Sequence, residues 1–316
     1  MKKLLSLLLA GALFFSLAAC QTSQPAQDQS SVASDPFLSA YSSAPPADSP
    51  VASGNADSSA AAPESAADSA PSQDVSSEEA PKTVRITFPE GYTFTRMAEK
   101  LEENGVCTVE GLMDVVNSYD FSKYPLVAAI PEDENRCFRL EGYLFPDTYD
   151  FYTDSDPEDV LGKMIRNTEN RITDAYRARA KELGYTMDEI LTIASLIQGE
   201  AGNPQEIGKI SSIVHNRLKA GMKLELDASI NYVEKWIKPF IGGDINRYNS
   251  YYNTYKCAAL PSGPICNPGI AWIKAALYPE DTDYLYFVND ANGNYYYAST
   301  HEEHLENCEK AGVPIQ

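Results

Sequence analysis

With 45 acidic against 25 basic side chains in 316 residues, the chain carries a formal net charge of −20. That balance argues against nucleic acid or an anionic membrane surface as a partner, because both call for a basic patch.

The chain opens MKKLLSLLLAGALFFSLAACQ, two lysines and an apolar run before small residues, which reads as an export signal over residues 1–19. The run is shorter than the roughly 20 apolar residues that span a bilayer. Leu17-Ala18-Ala19-Cys20 has the form of a lipobox, which marks Cys20 for lipidation; the alternative is ordinary cleavage beside the same alanines with Cys20 as a passenger. Two acyl chains anchor stably where one is marginal. The expectation is a protein lipid-anchored at the extracytoplasmic face of a bacterial cell membrane.

Residues 20–82 are mostly Ser, Ala, Pro, Gln and Asp, with nine acids and no Lys or Arg before Lys82. Such a segment cannot build a core and is expected to be a disordered tether, with a root-mean-square span of roughly 45 Å. Beyond it, Val84, Ile86 and Phe88 alternate as a strand, Pro89-Glu90-Gly91 turns the chain, and Thr93 or Thr95 caps a helix that Gly105 stops. This strand and helix suggest a small α+β module over 83–135, followed by a second domain over 136–316.

In that second region Thr186-Met187-Asp188-Glu189 reads as a capping box, and Ile190, Ile193, Ala194 and Ile197 recur on one helical face. Glu200 lies on that face, seven residues beyond Ile193. Gly202 ends the helix, and Asn203-Pro204 with Glu206 opens another, whose stripe is Ile207, Ile210, Val214 and Leu218 before Gly221. A carboxyl among apolar neighbours at the negative end of a helix dipole has its charged form disfavoured. It can hold a proton near neutral pH, as a general acid must. A Glu at a fraying helix end that merely points to water is the competing reading.

LEGYLFPDTYDF (140–151), ASLIQGEA (194–201), HNRLKAGMKLELDASINY (215–232), NTYKCAALPSGPICNPGIAWIKAALYP (253–279) and DYLYFV (283–288) occur in order. Together they resemble the endolytic murein transglycosylases of the MltG (YceG-like) family over about 83–310. The resemblance implies an α+β protein in which a LysM-like module precedes a lysozyme-like transglycosylase domain. It also places the family's acidic ASIVEKET-type motif so that the second Glu falls on Glu200. The chain departs from the pattern: the first Glu falls on Gln198, the lysine between them on Gly199, a proline of LPPGPI on Ser262, and QTDPT appears as ELDAS, Glu225 to Ser229. Glycine at 199 weakens a helix by about 1 kcal/mol relative to alanine. The family's usual membrane helix is replaced here by the lipobox.

The implied reaction is lytic. One Glu protonates the bond between N-acetylmuramic acid and N-acetylglucosamine, then acts as base toward the muramyl 6-hydroxyl, which closes to a 1,6-anhydro end. No cofactor is called for. Peptidoglycan strands are the expected substrate, and wall-synthesis enzymes are expected companions. Candidate substrate-binding or supporting residues from the matched motifs are Glu141, Tyr143, Asp147, Asn216, Asp227, Asn253 and Tyr255, each of which also fits ordinary packing and turn formation. Glu141 and Asp227 carry a second question, since a carboxylate close to Glu200 would raise its pKa or supply the second group of a hydrolase. A glycan-binding scaffold that has lost activity, and a plain muramidase, are the rival readings.

The remaining signals are weaker. His301-Glu302-Glu303-His304 lacks HExxH spacing and a third ligand, so no metal is expected. Cys266 with His304 is a conceivable nucleophile pair, against which stands the proline-rich turn around Cys266. For an exported chain, Cys107 with Cys137 or Cys257 with Cys266 are the candidate disulfides.

Overall fold

The computed structural model describes residues 82–314; the expected export signal, Cys20 and the acidic tether lie outside them. β1 (Thr83–Thr87) leads into α1 (Phe94–Glu103), α2 (Val109–Val116) and the short α3 (Pro125–Ala128) before β2 (Thr148–Tyr152). Thr93 caps α1, its hydroxyl accepting from Arg96 N–H at 3.3 Å, and Thr108 caps α2 in the same way through Gly111 N–H.

β1 and β2 pair antiparallel, Thr83 opposite Tyr152 and Thr87 opposite Thr148. The alternation of β1 puts Ile86 inside, and β2 turns Tyr149 and Phe151 to the same core. This pairing spans residue 135, so the first module draws its closing strand from the region expected to begin the second. One hydrophobic cluster accordingly runs from Ile86 to Leu277.

The rest is helical: α4 (Pro157–Arg171), α5 (Asp174–Leu183), α6 (Met187–Glu200), α7 (Ile207–Ala220), α8 (Asp227–Tyr232), a π-helical turn at Val233–Ile237, α9 (Ile245–Tyr252) and α10 (Ile270–Leu277). The hairpin of β3 (Tyr286–Asn289) and β4 (Tyr295–Ala298) then packs on α11 (His301–Ala311).

α6 is the central element. Thr186 and Glu189 form the reciprocal capping box, and every residue from Ile190 to Ile197 is buried, because α5, α7, α8 and α10 all pack against it. Truncating one of its isoleucines to alanine would cost about 2–5 kcal/mol. α6 stops at Glu200 with Ala201 as C-cap, two residues before Gly202, and α7 stops at Gly221 in the left-handed conformation, φ 68°. The buried run sets the axis of α6, and its end delivers Glu200 to the edge of the core.

No helix among the described residues is long and apolar enough to cross a membrane. All five cysteines there are free thiols, so neither expected disulfide is formed. Cys266 Sγ points at Ser195 O, 3.5 Å away, and Cys257 Sγ at Ala259 O, 3.6 Å away. Each of these two sulfurs contacts a carbonyl and not another sulfur.

Candidate functional site

Glu200 lies on the wall of a cavity of about 560 Å³ formed by α7, the loop ahead of α8, β3 and α11. Its side chain is half-buried, and Oε1 accepts a hydrogen bond from Ala228 N–H at 2.7 Å. Burial pushes its carboxyl up to about 7; the Ala228 N–H works in the opposite direction, and the charge of Asp227 adds to the rise. The carboxyl is thus poised to be either acid or base near neutral pH.

Three of the expected residues meet at this cavity: Glu200, Asp227 and Tyr255. Asp227 opens α8 and is exposed. It accepts from the Tyr255 hydroxyl at 2.8 Å, and burial together with this bond holds the Tyr255 phenol well above its ordinary pKa. Asn253 does not line the cavity but shapes the turn that presents Tyr255, its Oδ1 accepting from Tyr255 N–H at 2.9 Å. The next residue, Thr254, fixes the start of α8: its hydroxyl accepts from Leu226 N–H at 2.8 Å and its N–H donates to Ser229 Oγ at 3.0 Å.

The other expected residues sit elsewhere. Glu141 is fully buried, accepting from Phe94 N–H at 2.9 and 3.1 Å, Asn267 Nδ2 at 2.9 Å and the Tyr232 hydroxyl at 3.1 Å. Burial raises its carboxyl to about 8 against those donors and the Arg136 charge. Gly142 follows at φ 87°, where a Cβ would meet Pro264 Cγ at 2.4 Å, so only glycine lets the two turns close around Glu141. Tyr143 is buried with its hydroxyl on Asp188 at 2.6 Å. Asp147 pairs with Arg171 on α4 at 2.8 Å. Asn216 donates to the carbonyls of Thr282 and Tyr284, at 2.8 and 3.0 Å, and so anchors the chain entering β3.

Sequence reasoning passed over several residues that build the cavity. Arg217, beside Asn216, is buried and holds four acceptors: Leu285 O at 2.6 Å through Nε, and Lys223 O, Leu224 O and Glu225 Oε2 at 2.9 to 3.0 Å through Nη1. It clamps the loop ahead of α8 onto β3. Glu225 in that loop has φ 55°, a left-handed conformation disfavoured for a residue with a Cβ, so Arg217 helps to hold a strained turn next to the site. Outside the cavity lining, Tyr295 Oη accepts from Gly202 N–H at 3.0 Å, tying the α6–α7 turn to β4. The motif HNRL contained Arg217, and its place three residues after Val214 on the apolar stripe was a signal that a cation there needs several partners.

Gln198, where the resemblance puts a glutamate, accepts from the N–H of Gly269, the residue that opens α10, at 3.1 Å. His301 and His304 flank Tyr286 at the far end of the cavity, with ring centroids 5.9 and 5.1 Å from its own. The neighbour of His304 is Cys308, 3.7 Å from Nε2, while Cys266, in the segment ahead of α10, contacts Ser195 O on α6. Among the described residues no three His, Cys, Asp or Glu converge on a metal position.

The model of the YceG-like family matches residues 58–310. An endolytic murein transglycosylase of Bacillus subtilis is 40% identical over 172 residues, which are 54% of this chain and 48% of that protein. One of Streptococcus pneumoniae serotype 2 is 30% identical over 245 residues, 72% of this chain and 44% of that protein. The chain therefore spans about half the length of these curated relatives. The crystal structure of a putative YceG-like protein from Listeria monocytogenes superposes with a TM-score of 0.61 at 31% identity, covering 71% of this chain and 75% of the other. On the strength of a match to four-fifths of its length, together with the shared fold, the chain belongs to the YceG-like family.

Proposed function

We propose that the protein is an endolytic lytic transglycosylase that cuts the bond between N-acetylmuramic acid and N-acetylglucosamine inside peptidoglycan strands and leaves 1,6-anhydro ends. The observation that carries this is Glu200: a half-buried carboxyl on a cavity wall, raised to about 7, with a backbone donor on one oxygen. The relatives named endolytic murein transglycosylase support the same reading.

In the first step protonated Glu200 gives its proton to the glycosidic oxygen as the bond to the muramyl anomeric carbon breaks. In the second, the carboxylate takes the proton of the muramyl 6-hydroxyl as that oxygen bonds to the anomeric carbon. The proton count on Glu200 is restored and no water is consumed. The nucleophile is already attached to the substrate, so orientation in the cavity supplies much of the acceleration. Tyr255 and Asp227 line the path beside the carboxyl and are the residues assigned to hold the sugar.

A second reading rests on Asp227. It shares the cavity and its charge acts on Glu200, so it is positioned to be the second carboxylate of a muramidase, with water as nucleophile.

The finer organisation belongs to the same proposal. Two helices, α1 and α2, and the short α3 lying between β1 and β2, with the two strands paired antiparallel, support a LysM-like module. The sequence ahead of it supports a cleaved signal and lipidation at Cys20, which would hold the protein at the extracytoplasmic face of the cell membrane, where wall synthases would be close by. The test is chromatography of long uncrosslinked strands after incubation with the full chain or its Glu200→Gln variant. Rapid shortening of whole strands by the native chain alone is expected; binding without shortening would leave a glycan-binding scaffold.

A further inference from the structure

Glu200 receives its hydrogen bond from a helix that comes unusually close to α6. Ala228 is the second residue of α8, where backbone N–H groups have no partner within the helix, and it spends that N–H on Glu200 Oε1 at 2.7 Å. The approach depends on Gly199. A Cβ at that position would lie 2.6 Å from the Cβ of Ala228 and 3.6 Å from Ile265 Cδ1. Two methyl carbons cannot sit 2.6 Å apart, so any side chain at 199 pushes the start of α8 away from Glu200. Gly199 lies within α6, where glycine costs about 1 kcal/mol relative to alanine. Its missing side chain is therefore used for packing.

We infer that Gly199 and Ala228 act together as a positioning device, Gly199 admitting α8 and the Ala228 N–H orienting the Glu200 carboxyl and stabilising its charged form. The inference rests on the reading of Glu200 as acid and base. Such a group must give up its proton in one step and be able to take one in the next. The groups facing it divide accordingly. Asp227 from α8 opposes its charge, while Tyr255 from the turn after α9 and Tyr295 from β4 lie close enough to feel that charge. Arg217 on the cavity wall is occupied by Glu225 and three carbonyls, and His301 and His304 line the far end beside Tyr286. Among the described residues the Ala228 N–H is the one hydrogen-bond donor to Glu200, so it is the contact that keeps the base form within reach.

The test is direct titration of the Glu200 carboxyl by carbon NMR in the full chain labelled at glutamate side-chain carboxyls, with the resonance assigned by its loss in Glu200→Gln. Gly199→Ala, which forces the two helices apart, and Ala228→Pro, which removes the N–H, should each raise the midpoint by about one pH unit. The double variant Gly199→Ala with Ala228→Gly removes the clash and keeps the N–H, so its midpoint should return to that of the native chain. The alkaline limb of strand cleavage, measured on the same preparations, should follow. A structural role alone would lower stability without moving the midpoint. Midpoints unmoved in the single variants, or a shift that the double variant does not reverse, would overturn the inference. Midpoints that move as expected while no preparation cleaves strands would sink the enzyme reading and leave the positioning device standing. Should the proline variant fail to fold, Gly199→Ala and its reversal decide.

Discussion

Burial acts on two carboxyls in this molecule, Glu141 and Glu200, whose surroundings differ. Glu141 is closed in on every side, its oxygens met by Phe94 N–H, Asn267 and Tyr232 from three separate segments. Among the described residues Glu200 has one donor, from Ala228, an acidic neighbour, and a cavity in front of it. Burial raises both, Glu141 to about 8 and Glu200 to about 7. A raised pKa therefore does not separate a chemical group from a structural one. What separates them here is whether the remaining hydrogen-bonding capacity is spent on the protein or left facing space that a substrate can fill.

The sharpest way to test that contrast is to exchange each carboxyl for its neutral counterpart. Glu200→Gln keeps the shape and the Ala228 contact, and should lower strand cleavage by about 10²- to 10⁴-fold while the fold survives; initial rates on uncrosslinked strands measure it. Glu141→Ala should act on stability, by about 2–5 kcal/mol, because it strands buried donors. A urea unfolding curve reads this. If Glu141→Ala left stability unchanged and abolished turnover at full folding, the assignment of roles would be reversed.

A smaller effect is a dependence of stability on pH. The folded pKa of Glu200 lies above its unfolded value, so the folded state binds the extra proton between about pH 4.5 and 7. Stability from this group is present below that window and is lost as pH rises through about 7. Glu200→Gln should then melt at a higher temperature than the native chain at pH 8 and at about the same temperature at pH 4. Smallest of all, Asp227→Asn removes a charge that raises Glu200, so the alkaline limb of activity should move to lower pH. A loss of activity larger than about 100-fold in Asp227→Asn would instead favour the two-carboxylate hydrolase.

Glu200 was legible in the sequence because helical periodicity ties its direction to Ile193 and Ile197, and periodicity is local. α1 and α6, with their Thr caps, were legible for the same reason. The partner of β1 was not, since the pairing of Thr83 with Tyr152 joins residues far apart in sequence. Tyr143, a candidate for holding substrate, is a core residue; an aromatic side chain reads the same in sequence whether it faces a ligand or a helix. The Ala228 donor had no signature at all, because a backbone N–H is carried by almost every residue and only the approach of α8 selects this one. Gly199 shows the limit from the other side: its cost to the helix was readable, and its reason, the Ala228 methyl, was not.

In the proposed reaction Glu200 performs both proton transfers and the substrate supplies the nucleophile. Mass spectrometry of strand ends after digestion by the full chain, beside Glu200→Gln, tests it most directly. The expected products are 1,6-anhydro ends from the native chain and no new ends from the variant. Reducing ends from the native chain would contradict it and make the protein a muramidase, with Asp227 as the second carboxylate.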